Sequence, residues 1–571
     1  MRKGLILGGV VVVSIVLAMI WSRQTASSSR PGVIEASLEG MVSSEEEGQM
    51  EGVLVRAKGI GSSMRITVVA DSQGHYAFPR TKLGPGKYSV SIRAIGYTVR
   101  DPGQIEVSEN KATRLDLKLT RTQDLASQLT NAEWLMSLPG TYQEKDRIVC
   151  VNCHTMGLVG NTNYSENEWI EVLSRMSTYA LASSPFGPVK LPYDTVAGSN
   201  PERFRETAEY LSRIISSTTI RELSFKTLPR PTGRATKVII TEYDLPRRNA
   251  QPHDAVVDSE GMVWYADFAL PHLGKLNPRT GEVVEYELPL LKPGFPRGGN
   301  GIAFDKEGNV WIALMHQGAV VKFDKRTQKF ATWSPSGKYD NKYGRVAHLG
   351  LNYLRNGQEK LVVWFTNNTM QLAHKLDPET GRVDSYELYE SLPGGRELEG
   401  AKGIVTKPGH SIYGIAADSL GNGYFTDLAG SNIGKVDFKT GKVTLYPTPT
   451  PKSAPKRIYM DAQDRLWFGE EDGNRIGVFD TKTEKFQEWA TPTPWTRPYD
   501  AVLDKNGEVW TGGMTNDRIV RLNPQTNEFT DYLLPSSTNV RRVNVDNSTT
   551  PVTFWVGSNH AAMIVKLEPL D

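Results

Sequence analysis

The chain of 571 residues holds two cysteines, and they stand together as Cys150-Val151-Asn152-Cys153 with His154 directly after them. A C-x-x-C-H run reads as a covalent attachment site for c-type haem. Two thiols about one helical turn apart meet the two vinyl groups of the ring, and the adjoining imidazole is held beneath it to ligate iron. Cys150 and Cys153 would form the thioethers and His154 the first axial bond. The alternatives are a zinc site, a redox dithiol or a structural disulfide. A structural zinc site takes four Cys/His ligands, and no second cysteine pair completes one. A thioredoxin-like dithiol follows a strand in a βαβ unit, whereas the pattern of these flanks is helical and irregular.

The elements that must position this motif are helices. From 121 to 228 the pattern predicts one over Leu125 to Leu138 and another over Glu166 to Leu181, with Trp169, Val172, Leu173 and Met176 on one stripe. A third runs from Arg203 to Ile215, with Asn200-Pro201 as cap and first turn. Three helices around C-x-x-C-H resemble a small class I cytochrome c. The run from Trp169 to Met176 resembles the region after the haem site in dehydrogenase-linked cytochromes, which implies Met176 as the sixth ligand. A thioether there raises the reduction potential relative to two imidazoles. Met176 is otherwise a core residue at helical spacing, with Met156 or Met136 as the ligand. No histidine but His154 lies in the segment, so a second imidazole would have to come from another domain.

Arg2 and Lys3 precede an uncharged run from Gly4 to Trp21 and a Ser/Thr-rich stretch through Arg30. Residues 1–30 therefore read as a signal peptide or a membrane anchor, with no clear A-x-A cleavage site after the run. The body is expected in the periplasm or another extracytoplasmic space, where c-type haem is attached, and tied to the inner membrane if the segment is uncleaved. Charge is balanced, with 66 Lys+Arg against 64 Asp+Glu, and gives no sign of nucleic-acid binding. The 52 Gly, 33 Pro and 12 Trp point to many short strands and turns, hence a mainly β, multidomain chain.

Residues 33–120 alternate apolar and polar positions, as in Arg65-Ile66-Thr67-Val68-Val69, and predict a small antiparallel β-sandwich of six or seven strands. They resemble the carboxypeptidase regulatory-like family through Asp71, Gly74, Tyr76 and Phe78, then Leu83, Pro85, Gly86 and Tyr88, then Gly96 and Tyr97. The resemblance implies a spacer or a weak binding module.

From 235 to 571 the chain repeats, with an aromatic residue recurring at Trp264, Trp311, Trp364, Tyr424, Trp467, Trp510 and Trp555. Seven units of four short strands predict a seven-bladed propeller. The last unit lacks an outermost strand, and the run from Lys237 to Pro246 is expected to supply it and close the ring. Units such as Trp467-Phe468-Gly469-Glu470 followed by Asn474-Arg475-Ile476-Gly477 resemble the streptogramin (virginiamycin B) lyase family, which opens a lactone by magnesium-assisted elimination. The matching places read Tyr499 and Arg541 for the family's two histidines, and Asn539 and Ser558 for its carboxylates. None of the four can do that work. A displaced site would use His253, at the Pro-His start of the first blade's first strand, and Asp267.

Repeat geometry predicts a functional face at one end of the channel. The strand-start set is His253, Asn300, His348, Tyr413, Lys456, Tyr499 and Arg541; the strand-end set is Asp267, Leu314, Asn367, Asp427, Glu470, Gly513 and Ser558. The loops 288–299, 335–346 and 388–411 add Lys292, Arg297, Lys338, Lys342, Arg345, Arg396, Lys402 and Lys407 against Asp340, Glu390, Glu397 and Glu399. Such a rim is expected to take an anionic small molecule or an acidic partner. The main expectation is an exported cytochrome with one covalent haem, moving electrons while the propeller holds a substrate or a partner dehydrogenase. The alternatives are a lyase-like C–O lyase, which alone would require magnesium, and a non-catalytic ligand-binding or redox-sensing protein.

Overall fold

The computed structural model describes residues 36–571 apart from 181–182, 192–200, 217–219, 221–222, 340–345, 357 and 399–402. The expected leader, Asn200, and the loop residues Asp340, Lys342, Arg345, Glu399 and Lys402 lie outside the described residues. No helix among the described residues is long and apolar enough to cross a membrane.

The propeller consists of seven four-stranded units. Six are separate sheets, whose first strands begin at Pro252, Gly301, Val346, Ile412, Pro455 and Val502. The seventh, from Val543 to Pro569, takes its outermost strand from Val238–Asp244, which pairs antiparallel from Val238 opposite Pro569 to Asp244 opposite Met563. That strand is not an edge. Its other side pairs with Met64–Val69 of the sandwich, Ile239 opposite Val68, so that one eight-stranded sheet runs through both domains. Side chains alternate across a strand. Accordingly Ile239 enters the sandwich core, while Val238 and Ile240 join the core between the last two blades. An open strand that would invite pairing with another chain is thereby covered.

Each blade is built the same way for local reasons. In four of them an Asp closes the turn before the second strand and accepts the indole N–H six residues on: Asp258 from Trp264 at 2.8 Å, Asp305 from Trp311 at 2.8 Å, Asp461 from Trp467 at 2.9 Å and Asp504 from Trp510 at 2.9 Å. The glycine of the third strand lies opposite an aromatic residue of the second, as in Gly434 on Phe425 and Gly477 on Phe468, where a Cβ would meet the ring at 2.0 and 2.4 Å.

The sandwich core is formed by Leu38, Tyr76, Phe78, Leu83 and Tyr97, and Tyr76 donates to the Leu115 carbonyl at 2.5 Å. It is not purely antiparallel. The first strand, Ala36–Ser44, runs parallel to Leu117–Arg121, with Val42 opposite Leu117, because the strands by which the chain enters and leaves the domain are neighbours.

Between them lie five helices among the described residues: α1 (Asn131–Ser137), α2 (Tyr142–Asp146), α3 (Gly157–Gly160), α4 (Glu166–Ser177) and α5 (Pro201–Ile214). The helix expected from Leu125 starts at Asn131, because Thr130 and Glu133 form a capping box there. Ser165 and Glu168 start α4 in the same way, and its last residue is Ser177 rather than Leu181. α1, α4 and α5 pack through Trp134, Leu135, Trp169, Leu173, Leu211 and Ile214 around Val151 and Met156.

Candidate functional site

Four of the blades' first strands break register where a strand-start residue sits: between Pro252 and Asp254, Val346 and Leu349, Ile412 and Ile415, and Pro455 and Ile458. A bulge bends the strand and re-aims the side chain. Second-strand threonines satisfy the freed backbone groups. Thr366 accepts from His348 N at 3.2 Å and donates to the Tyr413 carbonyl at 2.9 Å, and Thr426 accepts from Gly414 N at 2.8 Å.

The result is a convergent mouth. His253 Nε2 lies 3.2 Å from the Tyr499 hydroxyl, which bonds to that of Tyr413, and the rings of His348 and Tyr413 are 4.7 Å apart. The Lys456 ammonium lies over the Tyr499 ring at 4.6 Å and is paired with Glu471. Burial pushes Lys456 down, whereas Lys456 and Arg497 overcome burial to hold Glu471 at about 2. Burial keeps His253 neutral, at about 4, and His348 well below its ordinary value. Both ring nitrogens of His348 and both amide atoms of Asn300 are buried without a hydrogen-bond partner.

The residues one position further on form a second layer that sequence reasoning missed. Asp254 accepts from Arg457 at 2.6 and 2.8 Å and from Arg542 at 2.7 Å, and lies 2.9 Å from His253 Nδ1. These cations hold its carboxyl well below the usual range against burial, while burial raises its neighbour Asp500 to about 7. The signal was available, since each of these residues directly follows a strand-start position.

The strand-end set has different uses. Asp267 accepts from Arg247 at 3.0 Å and from the backbone of Leu270 at 3.0 Å, and Asp427 is 2.6 Å from His410 Nδ1 and accepts from Ser411 N at 2.9 Å. Both close turns, and the carboxylate beside His253 is Asp254 rather than Asp267. Burial first, then Glu488, raises Glu470 to about 8. The loop cations are engaged too: Arg297 with Glu287 at 2.7 Å, Lys338 with Glu387 at 2.6 Å and Lys407 with the Leu392 carbonyl.

The C-x-x-C-H turn lies against this mouth. Val149–Asn152 form a 3₁₀ turn in which Cys153 N and His154 N both donate to the Cys150 carbonyl, at 3.0 and 3.2 Å. The two thiols are not bridged, and burial followed by the neighbouring Cys153 raises Cys150 to about 11. His154 Nδ1 is 3.1 Å from the Thr155 carbonyl, which fixes the ring and leaves Nε2 for a ligand bond. Burial lowers the histidine's affinity for a proton. Arg541 donates to the Asn152 carbonyl at 2.8 Å and Asn539 to that of Val151 at 3.5 Å, so two mouth residues hold the turn itself. Ala132 N donates to Thr515 at 2.7 Å, and Tyr142 stacks on Trp495 at 4.5 Å.

Met176 is 42 % exposed on α4, Met156 is buried in the helical core and Met136 is half-buried. His560, which the expected ligands did not include, lies in the turn before the last strand of the seventh blade. Both its ring nitrogens are shut from solvent and unpartnered. Among the described residues no group of three or more His, Cys, Asp and Glu could hold a metal ion directly.

Residues 37–120 match the carboxypeptidase regulatory-like domain model and residues 399–569 match that of the Virginiamycin B lyase family. The chain is therefore mainly β, with a carboxypeptidase regulatory-like sandwich followed by a propeller related to virginiamycin B lyase. Neither match extends over 121–228. Among solved structures the chain is similar to a streptogramin B lyase, with 22% identity, TM-score 0.49, and coverage of 59% of this chain and 99% of that one. It is also similar to virginiamycin B lyase from Staphylococcus aureus, with 22% identity, TM-score 0.47, and coverage of 58% and 99%. No curated protein matches the chain in sequence.

Proposed function

We propose that the chain is an exported haem protein in which a c-type haem at Cys150–His154 sits over the ligand-binding mouth of a lyase-type propeller, and that it passes electrons to or from a small molecule or a partner dehydrogenase there. The observation that carries this reading is the seating of the motif: Arg541 and Asn539, at the mouth, hold the carbonyls of Asn152 and Val151. The donor set suits the group. Cys150 and Cys153 would hold the group through thioethers to its two vinyl groups, an S–H addition with no net oxidation. His154 offers Nε2 while the Thr155 carbonyl orients its ring. A bound haem supplies one-electron chemistry. The unpartnered His348 and Asn300 supply hydrogen-bonding capacity to a ligand in the channel. The uncharged run from Gly4 to Trp21 supports export.

The test is expression in a host that matures c-type cytochromes. The denatured, reduced chain is expected to keep the pyridine haemochrome spectrum of a thioether-linked haem, and a chain without covalent haem overturns the reading. Elimination chemistry is the second reading, favoured by the family match over 399–569 and by a neutral His253 held between Asp254 and Tyr499. Opening of a streptogramin ring that is abolished by His253→Ala and by magnesium chelation would promote it above the first.

A further inference from the structure

We propose that the propeller supplies the second axial ligand: His560 of the seventh blade binds the haem iron opposite His154, so that the haem joins the helical segment to the propeller through two imidazoles. The inference rests on the haem reading above and extends it to a residue far away in the chain.

Three observations carry it. A buried imidazole normally satisfies at least one ring nitrogen, and His560 satisfies neither. Its blade is also the one that holds the motif, since Arg541 and Asn539 at the start of that blade reach the carbonyls on either side of the Val151–Asn152 bond. His154 Nδ1 is already engaged by Thr155, so its remaining nitrogen is the one available to iron.

Arg541 links the two places: an amide atom of Asn559, the residue before His560, lies 2.9 Å from Arg541 Nε, and Arg541 donates to the carbonyl of Asn152, two residues before His154. Met176, by contrast, turns a large part of its side chain to solvent. An iron with two imidazoles has a lower reduction potential than one with histidine and methionine.

The experiment uses the full chain carrying its haem. The wild-type protein is expected to be low-spin in both oxidation states, with the near-infrared charge-transfer band of two histidines and without that of methionine sulfur. His560→Ala is expected to lose the low-spin ferric signal and to regain it on addition of free imidazole, which separates a missing ligand from a damaged fold. His560→Met is expected to shift the reduction potential upwards, and Met176→Ala to leave spectrum and potential unchanged. A low-spin spectrum that survives His560→Ala, or is lost in Met176→Ala, overturns the assignment while the haem reading stands. Absence of covalent haem from the wild type overturns both.

Discussion

The charged groups of the propeller channel and the polar groups of the junction above it are used in opposite ways. Inside the channel Asp254 is met by Arg457, Arg542 and His253, and Lys456 by Glu471, so charges buried by closing the ring are compensated within it. At the junction two unbridged thiols, a histidine with one nitrogen engaged and a histidine with none gather beside the same mouth. Compensated charge is what seven blades need to share one axis. A buried imidazole with neither nitrogen bonded, as at His560, has no such structural use and marks where an added group belongs, as do His348 and Asn300 within the channel.

The largest effect that sharpens this contrast is at the thiols. Cys150→Ser with Cys153→Ser is expected to remove covalent haem completely and leave the propeller folded, as judged by haem staining of the denatured chain beside its far-ultraviolet circular dichroism. Unfolding together with haem loss would instead make the turn part of the structural framework. In the channel the expectation reverses. Asp254→Ala strands Arg457 and Arg542 in a buried place and should cost about 3–5 kcal/mol of stability, read from the denaturant midpoint, without altering covalent attachment. A cost below about 1 kcal/mol would show that the charges do not interlock the blades.

The same contrast explains what the sequence made legible. The blades could be read because each repeats an aromatic residue, a turn and a Gly that fit one geometry, and Val238–Asp244 could be placed because the last unit lacked a strand. The strand-start residues were legible as a ring, but the bulges that turn them inward were not, since a bulge is defined by register against the partner strand and that pairing is not written in the strand's own residues. The strand-end carboxylates show a related limit: Asp267 and Asp427 are as polar as a site requires, and only backbone geometry shows that they also close turns. In the helical segment Thr130 with Glu133 and Ser165 with Glu168 have the spacing of capping boxes, yet helical periodicity alone extended the first helix too early. The pairing of Val238–Asp244 with the sandwich and the bonds from Asn539 and Arg541 to the C-x-x-C-H turn join residues hundreds of positions apart, and no local pattern encodes them.

A pH effect sharpens the comparison from the channel side. Glu470 is raised from its ordinary value of 4.5 to about 8 by burial and then by Glu488. The folded chain therefore keeps a proton that the unfolded chain gives up. Folding is favoured below the unfolded value, and that contribution is lost as pH rises through about 8. Denaturation at successive pH values should show stability falling between about 4.5 and 8, by a few kcal/mol from this group. Glu470→Gln, neutral throughout, should give a flatter curve, and an equally steep one would assign the slope to other carboxyls such as Asp500.

The smallest effect separates one blade from another. Trp264, Trp311, Trp467 and Trp510 donate to a turn aspartate, whereas the indole nitrogens of the equally buried Trp364 and Trp555 have no partner. Substitution by phenylalanine removes similar packing at all six. At the first four it also breaks a hydrogen bond to a carboxylate and leaves that acceptor short of a donor, for about 1–2 kcal/mol more. At Trp364 and Trp555 it deletes a buried N–H that was already unsatisfied, which offsets part of the lost packing. Trp311→Phe should therefore lower the denaturant midpoint further than Trp364→Phe in the adjacent blade. Equal losses would mean that packing alone holds the aromatic ring of the propeller, and that the aspartates serve only the turns on which they sit.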